Sequence, residues 1–323
     1  MPRPDTPTGP ALAPELDELR TALTTLPRTL PPRWLYDERG SDLFTEITAL
    51  DEYYQTETER RILHDHADDI ASRSGAVTMV ELGSGTSDKT RTLLDAFEAH
   101  GVLERFVPVD VSEQTLLDAA DLIARRHPSL AVEPVVGDFT HDLHRLDGVG
   151  ADAPRLIVFL GGTIGNFYQS ERVEFLRSLA SVARPGDRVL VGIDTVKAIE
   201  RLVAAYDDAQ GVTEAFIRNA LVHVARVADG DLDADDFTYV PLWDARAQRI
   251  DMRLRARRPV VARLGALDLD LSMSTGEEIR VEISTKFRPE TMVDELADVG
   301  FDGSTKVFTD ADGDFAVIMA ERT

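Results

Sequence analysis

The sequence predicts an α/β protein: a doubly wound, mostly parallel sheet with a second, smaller α+β unit. Five apolar runs alternate with helical segments between residues 77 and 194, the order a parallel sheet with crossover helices requires. A glycine-rich turn, Glu81-Leu82-Gly83-Ser84-Gly85, follows the first run, where a strand hands over to a helix. After residue 196 the pattern changes to helices and then to period-two alternation, the mark of antiparallel strands.

The first run, Val77-Thr78-Met79-Val80, reads as a buried strand that ends in Glu81 and two glycines one position apart. Glycines at such a turn let backbone N–H groups approach a ligand closely. Thr86-Ser87 is placed to cap a helix through Arg91, Leu93, Leu94 and Phe97. Neither common phosphate loop fits, because Asp88 occupies the third-glycine register and Lys89 follows Asp88 rather than a glycine. The second strand, Arg105 to Val111, carries Asp110 near its end, where an acidic residue suits ribose hydroxyls. The third, Ala131 to Phe139, ends in Gly137-Asp138-Phe139, so that Asp138 suits an adenine amino group and Phe139 the ring. Each Asp alone reads as an ordinary helix cap; acidic residues at three successive strand ends favour a nucleoside. A fourth strand, Arg155 to Leu160, leads into Gly161-Gly162-Thr163-Ile164-Gly165-Asn166. A helix over 171–183, stopped by Pro185-Gly186, precedes the fifth strand, Arg188 to Asp194. In such a sheet ligands collect at the strand C-termini, where these motifs fall.

Beyond it, 197–209 and 213–227 read as helices, and 237–243, 249–255, 260–269 and 278–287 as antiparallel strands. Pro289 opens a further helix, and 304–308 with 315–320 read as a closing hairpin of the sheet. The expected division is a disordered 1–14 with five prolines, a substrate-binding unit of 15–60 and 197–286, and a sheet unit of 61–196 and 287–323. The N-terminus reads as neither signal peptide nor anchor.

Composition narrows the function. Across 323 residues, 43% hydrophobic and 29% charged describe an ordinary globular chain. A formal charge of −23 with no basic block argues against nucleic acid, whose phosphates must be met by Lys and Arg, and against anionic membrane surfaces. The absence of cysteine excludes disulfides, thiolate zinc sites and a cysteine nucleophile, and fits a cytoplasmic location. No stretch approaches the roughly 20 apolar residues that span a bilayer. Asp310-x-Asp312-x-Asp314 imitates a calcium loop, but Gly313 is out of register and a polar hairpin turn explains it better. His141 and His144 lack a carboxylate of clear role, so no metal is expected.

The acidic-x-Gly-x-Gly turn resembles the first motif of S-adenosylmethionine-dependent methyltransferases, and further blocks narrow the likeness. Trp34-Leu35-Tyr36-Asp37, Gly40-Ser41-Asp42-Leu43-Phe44, Glu52 to Glu59, Glu81 to Thr90, Gly162 to Asn166, Tyr206-Asp207-Asp208, Phe216-x-Arg218-Asn219 and Ser284 to Glu290 occur in order. Over essentially the whole chain after residue 15, this series resembles the histidine N-alpha-methyltransferases of ergothioneine biosynthesis. The resemblance implies a Rossmann-like class I methyltransferase sheet, S-adenosylmethionine as co-substrate and L-histidine as substrate; the chain is expected to act as a monomer. The implied reaction is transfer of three methyl groups to the α-amine, giving hercynine.

Carried over residue by residue, it puts Gly83, Lys89, Asp110, Asp138 and Phe139 around the co-substrate. It puts Tyr53, Asn166, Tyr206, Met252, Glu282 and Ser284 around the amino acid, with Tyr36 near the methylated amine. The chemistry agrees: Lys89 suits a carboxylate, as do Asn166 and Tyr206, while Tyr53, Glu282 and Ser284 suit an imidazole. Tyr36 and Asn166 are the catalytic candidates. Without the family match, Tyr53 reads as a core tyrosine, Asn166 as a turn residue and Glu282 as a solvent-facing strand residue. Gly162 departs from relatives that carry Ser there, which costs little if only backbone touches the ligand. The competing functions are N-methylation of another aromatic amino acid such as tryptophan, and non-catalytic nucleoside binding.

Overall fold

The computed structural model describes residues 12–150 and 153–323. The chain divides into two compact units, Met1–Tyr53 with Ala198–Ile283, and Tyr54–Lys197 with Ser284–Thr323. The disorder expected of 1–14 falls mainly outside the described residues; Pro14 itself opens α1 (Pro14–Thr24), where a proline at the first turn forfeits no hydrogen bond. A short β1 (Arg28–Thr29) and α2 (Glu38–Ile47) follow, the latter capped by Asp37 Oδ1, which accepts from Gly40 N at 2.9 Å.

The sheet unit starts with α3 (Tyr54–Ser74), one continuous helix that buries Ile62, Leu63, Ala67 and Ile70. A boundary near residue 60 would cut this helix, so the division falls at Tyr53/Tyr54 instead. Then come β2 (Thr78–Leu82), α4 (Thr90–His100), β3 (Arg105–Asp110), α5 (Glu113–Arg126), β4 (Ala131–Val132), β5 (Val135–Val136), β6 (Arg155–Phe159), α6 (Gln169–Val182) and β7 (Arg188–Asp194). The third run is not one strand. Pro134 has no N–H to give the ladder, and β4 and β5 pair separately with the two ends of β3. Nor do Thr86 and Ser87 cap α4. The helix starts three residues later, with Lys89 at its N-cap and no side-chain cap, while Ser87 sits at φ +52° and turns its hydroxyl inward to Glu81.

The smaller unit resumes with α7 (Ile199–Ala204) and α8 (Val212–Val227), so the first of these helices is shorter than its sequence suggests. β8 (Phe237–Asp244) and β9 (Arg249–Ala256) form an antiparallel pair. The run at 260–269 stops at Leu264 as β10 (Val260–Leu264) and returns as β11 (Leu269–Met273), a separate two-stranded sheet. β12 (Glu278–Thr285) lies between β9 and the parallel β1, giving the order β1-β12-β9-β8. The chain ends in the sheet unit with α9 (Pro289–Asp298), β13 (Thr305–Thr309) and β14 (Phe315–Glu321).

The large sheet has the order β13-β14-β7-β6-β2-β3-β4, parallel except at β13 and β14. Alternate residues feed two cores. Val80, Val107, Ile157 and Val191 face one layer, and Met79, Phe106, Leu156 and Leu190 the other. Both faces are covered, which is why all five residues of β2 are buried. Strand order reverses between β2 and β6, and at such a switch point a crevice opens at the strand C-termini.

Candidate active site

In the sheet unit the polar groups gather at that switch point. Glu81, at the end of β2, is buried and accepts from Ser87 Oγ at 2.9 Å and from Thr90 Oγ1. Burial pushes its carboxyl up to about 7, against those two hydrogen bonds and the Lys89 charge. Glu81 thereby shapes the turn behind the glycines. Gly83 and Gly85 both take positive φ, +65° and +50°, a conformation side chains resist. A Cβ on Gly83 would lie 3.1 Å from the Phe139 ring, whereas one on Gly85 would meet nothing within 4 Å. Ser84 Oγ is buried without a hydrogen-bond partner among the described residues.

Asp110 closes the same turn: Oδ2 accepts from Gly85 N at 2.9 Å and Oδ1 from Ser112 N at 2.8 Å. Asp138 accepts from Thr140 N at 2.8 Å and Thr140 Oγ1 at 2.6 Å. Burial opposes its charge, but Thr140 and His141 hold its carboxyl below the usual range. Lys89 Nζ meets the carboxylate of Glu59, which is fully buried and accepts Gly161 N on both oxygens at 2.9 Å. Asn166 ends a short 3₁₀ turn, Thr163–Asn166. Within that turn a Cβ on Gly165 would be 2.7 Å from the Thr285 carbonyl oxygen, so the glycine lets the turn lie against the chain next to Ser284. Ser284 belongs to the sheet unit rather than to the smaller one, and its Oγ accepts from Lys286 Nζ at 2.8 Å. Lys286 in turn pairs with buried Asp194 at 2.8 Å, which also accepts from Tyr54 Oη at 2.9 Å and pairs with Lys197. Two lysines thus hold the Asp194 carboxyl low despite its burial.

The smaller unit gathers aromatic residues. Tyr36 lies edge-on to Phe44 (5.7 Å between centroids) and Phe216 (5.5 Å), Phe44 to Tyr53 (6.4 Å), and Tyr53 to Tyr206 (6.1 Å). Tyr206 is fixed through its carbonyl, which accepts from Tyr239 Oη at 2.7 Å. Glu282, on β12, is only 8% exposed, so it is no solvent-facing residue; Met252, on the neighbouring β9, is 2% exposed. Tyr36 as a whole is 42% exposed, yet its phenol is pushed well above its ordinary value by desolvation, by Glu282, and by Tyr53 and Tyr206. All of these influences act in one direction, so Tyr36 stays protonated at neutral pH.

Tyr36, Tyr53, Tyr206 and Glu282 therefore come together in one unit, and Gly83, Asp110 and Phe139 in the other, with Lys89 bound to Glu59 there. Sequence reasoning passed over Glu59, Asp194 and Lys286. For Glu59 the available signal is Gly192, a glycine inside a strand, which marks a close approach. The Asp310 turn is satisfied from within, its carboxylate accepting from Phe315 N at 2.9 Å and Asp312 N at 3.2 Å. Asp95, Glu98 and His127 also offer ligand atoms within 4.8 Å of one another, though Arg126 already holds Asp95 at 2.7 Å.

A glycine turn with its acidic partners at the switch point of a parallel sheet is the construction of an S-adenosylmethionine-dependent methyltransferase, and the chain is one. It belongs, more narrowly, to the family of histidine-specific, S-adenosylmethionine-dependent methyltransferases, whose model matches residues 16–322. It is 48% identical to the histidine N-alpha-methyltransferase of Mycolicibacterium smegmatis and 45% to that of Mycobacterium tuberculosis, each over 305 residues and 94% of both chains. It is 36% identical to ergothioneine biosynthesis protein 1 of Schizosaccharomyces pombe, over 67% of this chain and 29% of that one. An L-tryptophan methyltransferase of Psilocybe serbica is 32% identical over 63% of each. Among solved structures, an O-methyltransferase family protein from Burkholderia thailandensis aligns with 96% of this chain and 68% of its own, at 15% identity and a TM-score of 0.47.

Proposed function

We propose that this enzyme methylates the α-amino group of L-histidine three times, giving hercynine for ergothioneine biosynthesis. The observation that carries the reading is the 48% identity, over 94% of both chains, to a histidine N-alpha-methyltransferase. S-adenosylmethionine supplies an electrophilic methyl group on a sulfonium: the N–C bond forms as the S–C bond breaks, S-adenosylhomocysteine leaves, and the amine gives up one proton to solvent before each attack.

Residues of the sheet unit hold that co-substrate. Gly83 admits backbone to close approach, Asp110 accepts from ribose hydroxyls, Asp138 from the adenine amino group, Phe139 lies against the ring, and Lys89 meets the methionine carboxylate. The open space at Gly85 and the Ser84 Oγ, without a partner among the described residues, support a polar ligand at this turn. Toward the amino acid, Asn166 and Tyr206 donate to the carboxylate. Glu282 accepts the imidazole N–H, Tyr53 and Ser284 complete the ring's polar contacts, and Met252 packs beside it.

The attacking amine must be neutral. Tyr36 is held as a phenol, so it does not serve as a phenolate base; in the first two rounds its oxygen accepts an N–H of the amine and turns the lone pair toward the methyl group, while the tertiary amine of the third round has no N–H left to give. No covalent enzyme intermediate is needed. Orientation does most of the work, of which well-placed reactants supply roughly 7–11 kcal/mol. The same reading has the protein acting as a cytoplasmic monomer without metal or nucleic acid, the last supported by its charge of −23.

Incubating the pure protein with S-adenosylmethionine and each of the twenty amino acids, then weighing the products, tests the function. Histidine should gain three methyl groups faster than any other amino acid. Preferential methylation of tryptophan, or no methylation, overturns it.

A further inference from the structure

Glu59 carries no ligand role in the reading above, yet it is placed as a keystone beneath one. It is fully buried on α3, and both its oxygens accept the amide of Gly161, the residue that follows β6 by two positions. Its Oε2 also takes the Lys89 ammonium, whose side chain remains 21% exposed. A Cβ on Gly161 would lie 3.5 Å from Lys89 Nζ, so the amide and the ammonium stand side by side. The room for this carboxylate is made by Gly192 in β7, where a Cβ would stand 2.0 Å from Glu59 Oε1. A buried carboxylate this closely housed, with every donor supplied by the two sides of the switch point, fixes the position of a flexible lysine that would otherwise sample many rotamers.

We infer that Glu59 is a positioning residue for co-substrate binding: it pins the Lys89 ammonium beside the Gly161 amide and so sets the affinity for the amino-acid end of S-adenosylmethionine, without touching it. The inference rests on the reading that Lys89 meets the methionine carboxylate. Glu59 lies behind Lys89, with no exposed atoms of its own, and a long cationic side chain gains a defined direction only from such a backstop.

Two probes isolate this effect. S-adenosylhomocysteine carries the amino-acid end, and methylthioadenosine has the same nucleoside and a neutral sulfur without it. Calorimetry on wild type, Glu59→Gln, Lys89→Met and the double variant should give a fivefold or greater loss of S-adenosylhomocysteine affinity in each single variant. Methylthioadenosine binding should stay within twofold of wild type, and the double variant should be no weaker than Lys89→Met, because Glu59 acts through Lys89. If Lys89→Met leaves S-adenosylhomocysteine binding intact, the role of Lys89 falls and the inference falls with it. If Lys89→Met weakens binding and Glu59→Gln does not, or if Glu59→Gln weakens both ligands equally, only the positioning role falls. Should Glu59→Gln not fold, Gly192→Ala displaces the same carboxylate by its added methyl, and the same two ratios decide.

Discussion

In the sheet unit the buried carboxylates of Glu59, Glu81 and Asp194 are each gripped by protein donors: a lysine and an amide, two hydroxyls, two lysines and a phenol. In the smaller unit Glu282 is equally hidden but lies among tyrosines, close enough to raise the Tyr36 phenol. The sheet unit uses its buried charge to hold a backbone shape, and the ligand contacts proposed for it come from strand ends and glycines. The smaller unit grips one buried carboxylate in the same way, Asp251 between Arg249, Arg253 and Arg280, but sets Glu282 in a lining of side chains where, in the proposed reading, size and polarity select what fits. Disturbing the first should therefore change stability or general affinity; disturbing the second should alter which substrate is chosen.

The largest expected effect tests that selective role. Glu282→Ala removes the acceptor for an imidazole N–H, and sites built on such a bond discriminate by up to roughly 10⁴–10⁵-fold. Turnover of histidine should fall steeply, and Met252→Val added to it should shift preference further toward tryptophan. A histidine-to-tryptophan ratio of kcat/KM that stays the same in wild type, single and double variants breaks the comparison.

Next comes Glu81, whose role is structural. Its folded value of about 7 lies above the ordinary value of 4.5, so between those limits the folded state holds a proton that the unfolded state has lost. Stability contributed at this site is therefore greatest at low pH, falls as pH rises through the window, and carries its full penalty above 7. That penalty is about 3 kcal/mol, since each tenfold change in a protonation equilibrium is worth about 1.4 kcal/mol. Glu81→Gln does not titrate, so it should match wild type near pH 4.5 and be the more stable protein at pH 8 in thermal melts. Parallel curves for the two proteins contradict the assignment.

Asp110→Ala should weaken S-adenosylmethionine binding tenfold or more, since hydrogen bonds to a charged group are worth roughly 1.5–3 kcal/mol. Calorimetry with the folded variant checks it, and an unchanged dissociation constant removes Asp110 from the site. The smallest effect belongs to the scaffold of the smaller unit. Asp37 caps α2 and accepts from Asn219 Nδ2 at 2.7 Å, so Asp37→Ala should cost about 1 kcal/mol in denaturant unfolding while leaving co-substrate affinity unchanged. A drop in that affinity would couple what the comparison keeps apart.

The same contrast explains what was readable in the sequence. Glycines, strand-terminal acids and apolar runs are local signals, so the parallel sheet and its Gly83–Asp110–Asp138 series stand out residue by residue. Reading 131–139 and 260–269 as single strands overlooks two local breaks: Pro134 has no N–H to give the ladder, and the chain turns at Gly265 before β11 begins. The residues proposed for the amino-acid side are different. Tyr36, Tyr53, Tyr206, Met252 and Glu282 come from distant segments, each of them ordinary in its own context, and family resemblance alone grouped them. Glu59 escaped for a third reason: its partners, Lys89, Gly161 and Gly192, are widely spread along the chain, and no periodicity announces a buried ion pair.

The shortest strand of the smaller unit has a consequence for how the protein is made. Arg28–Thr29 pairs in parallel with Ile279 and Arg280, and Leu30 N donates to the Arg280 carbonyl at 2.8 Å. On the ribosome, where synthesis runs at about 5–20 residues per second, the first of these segments waits roughly 10–50 s for the second to exist. Throughout that interval the buried faces of Leu19, Leu23 and Leu30 lack the strand that later joins them, so the N-terminal segment of the smaller unit stays open through most of synthesis, where a chaperone would find it.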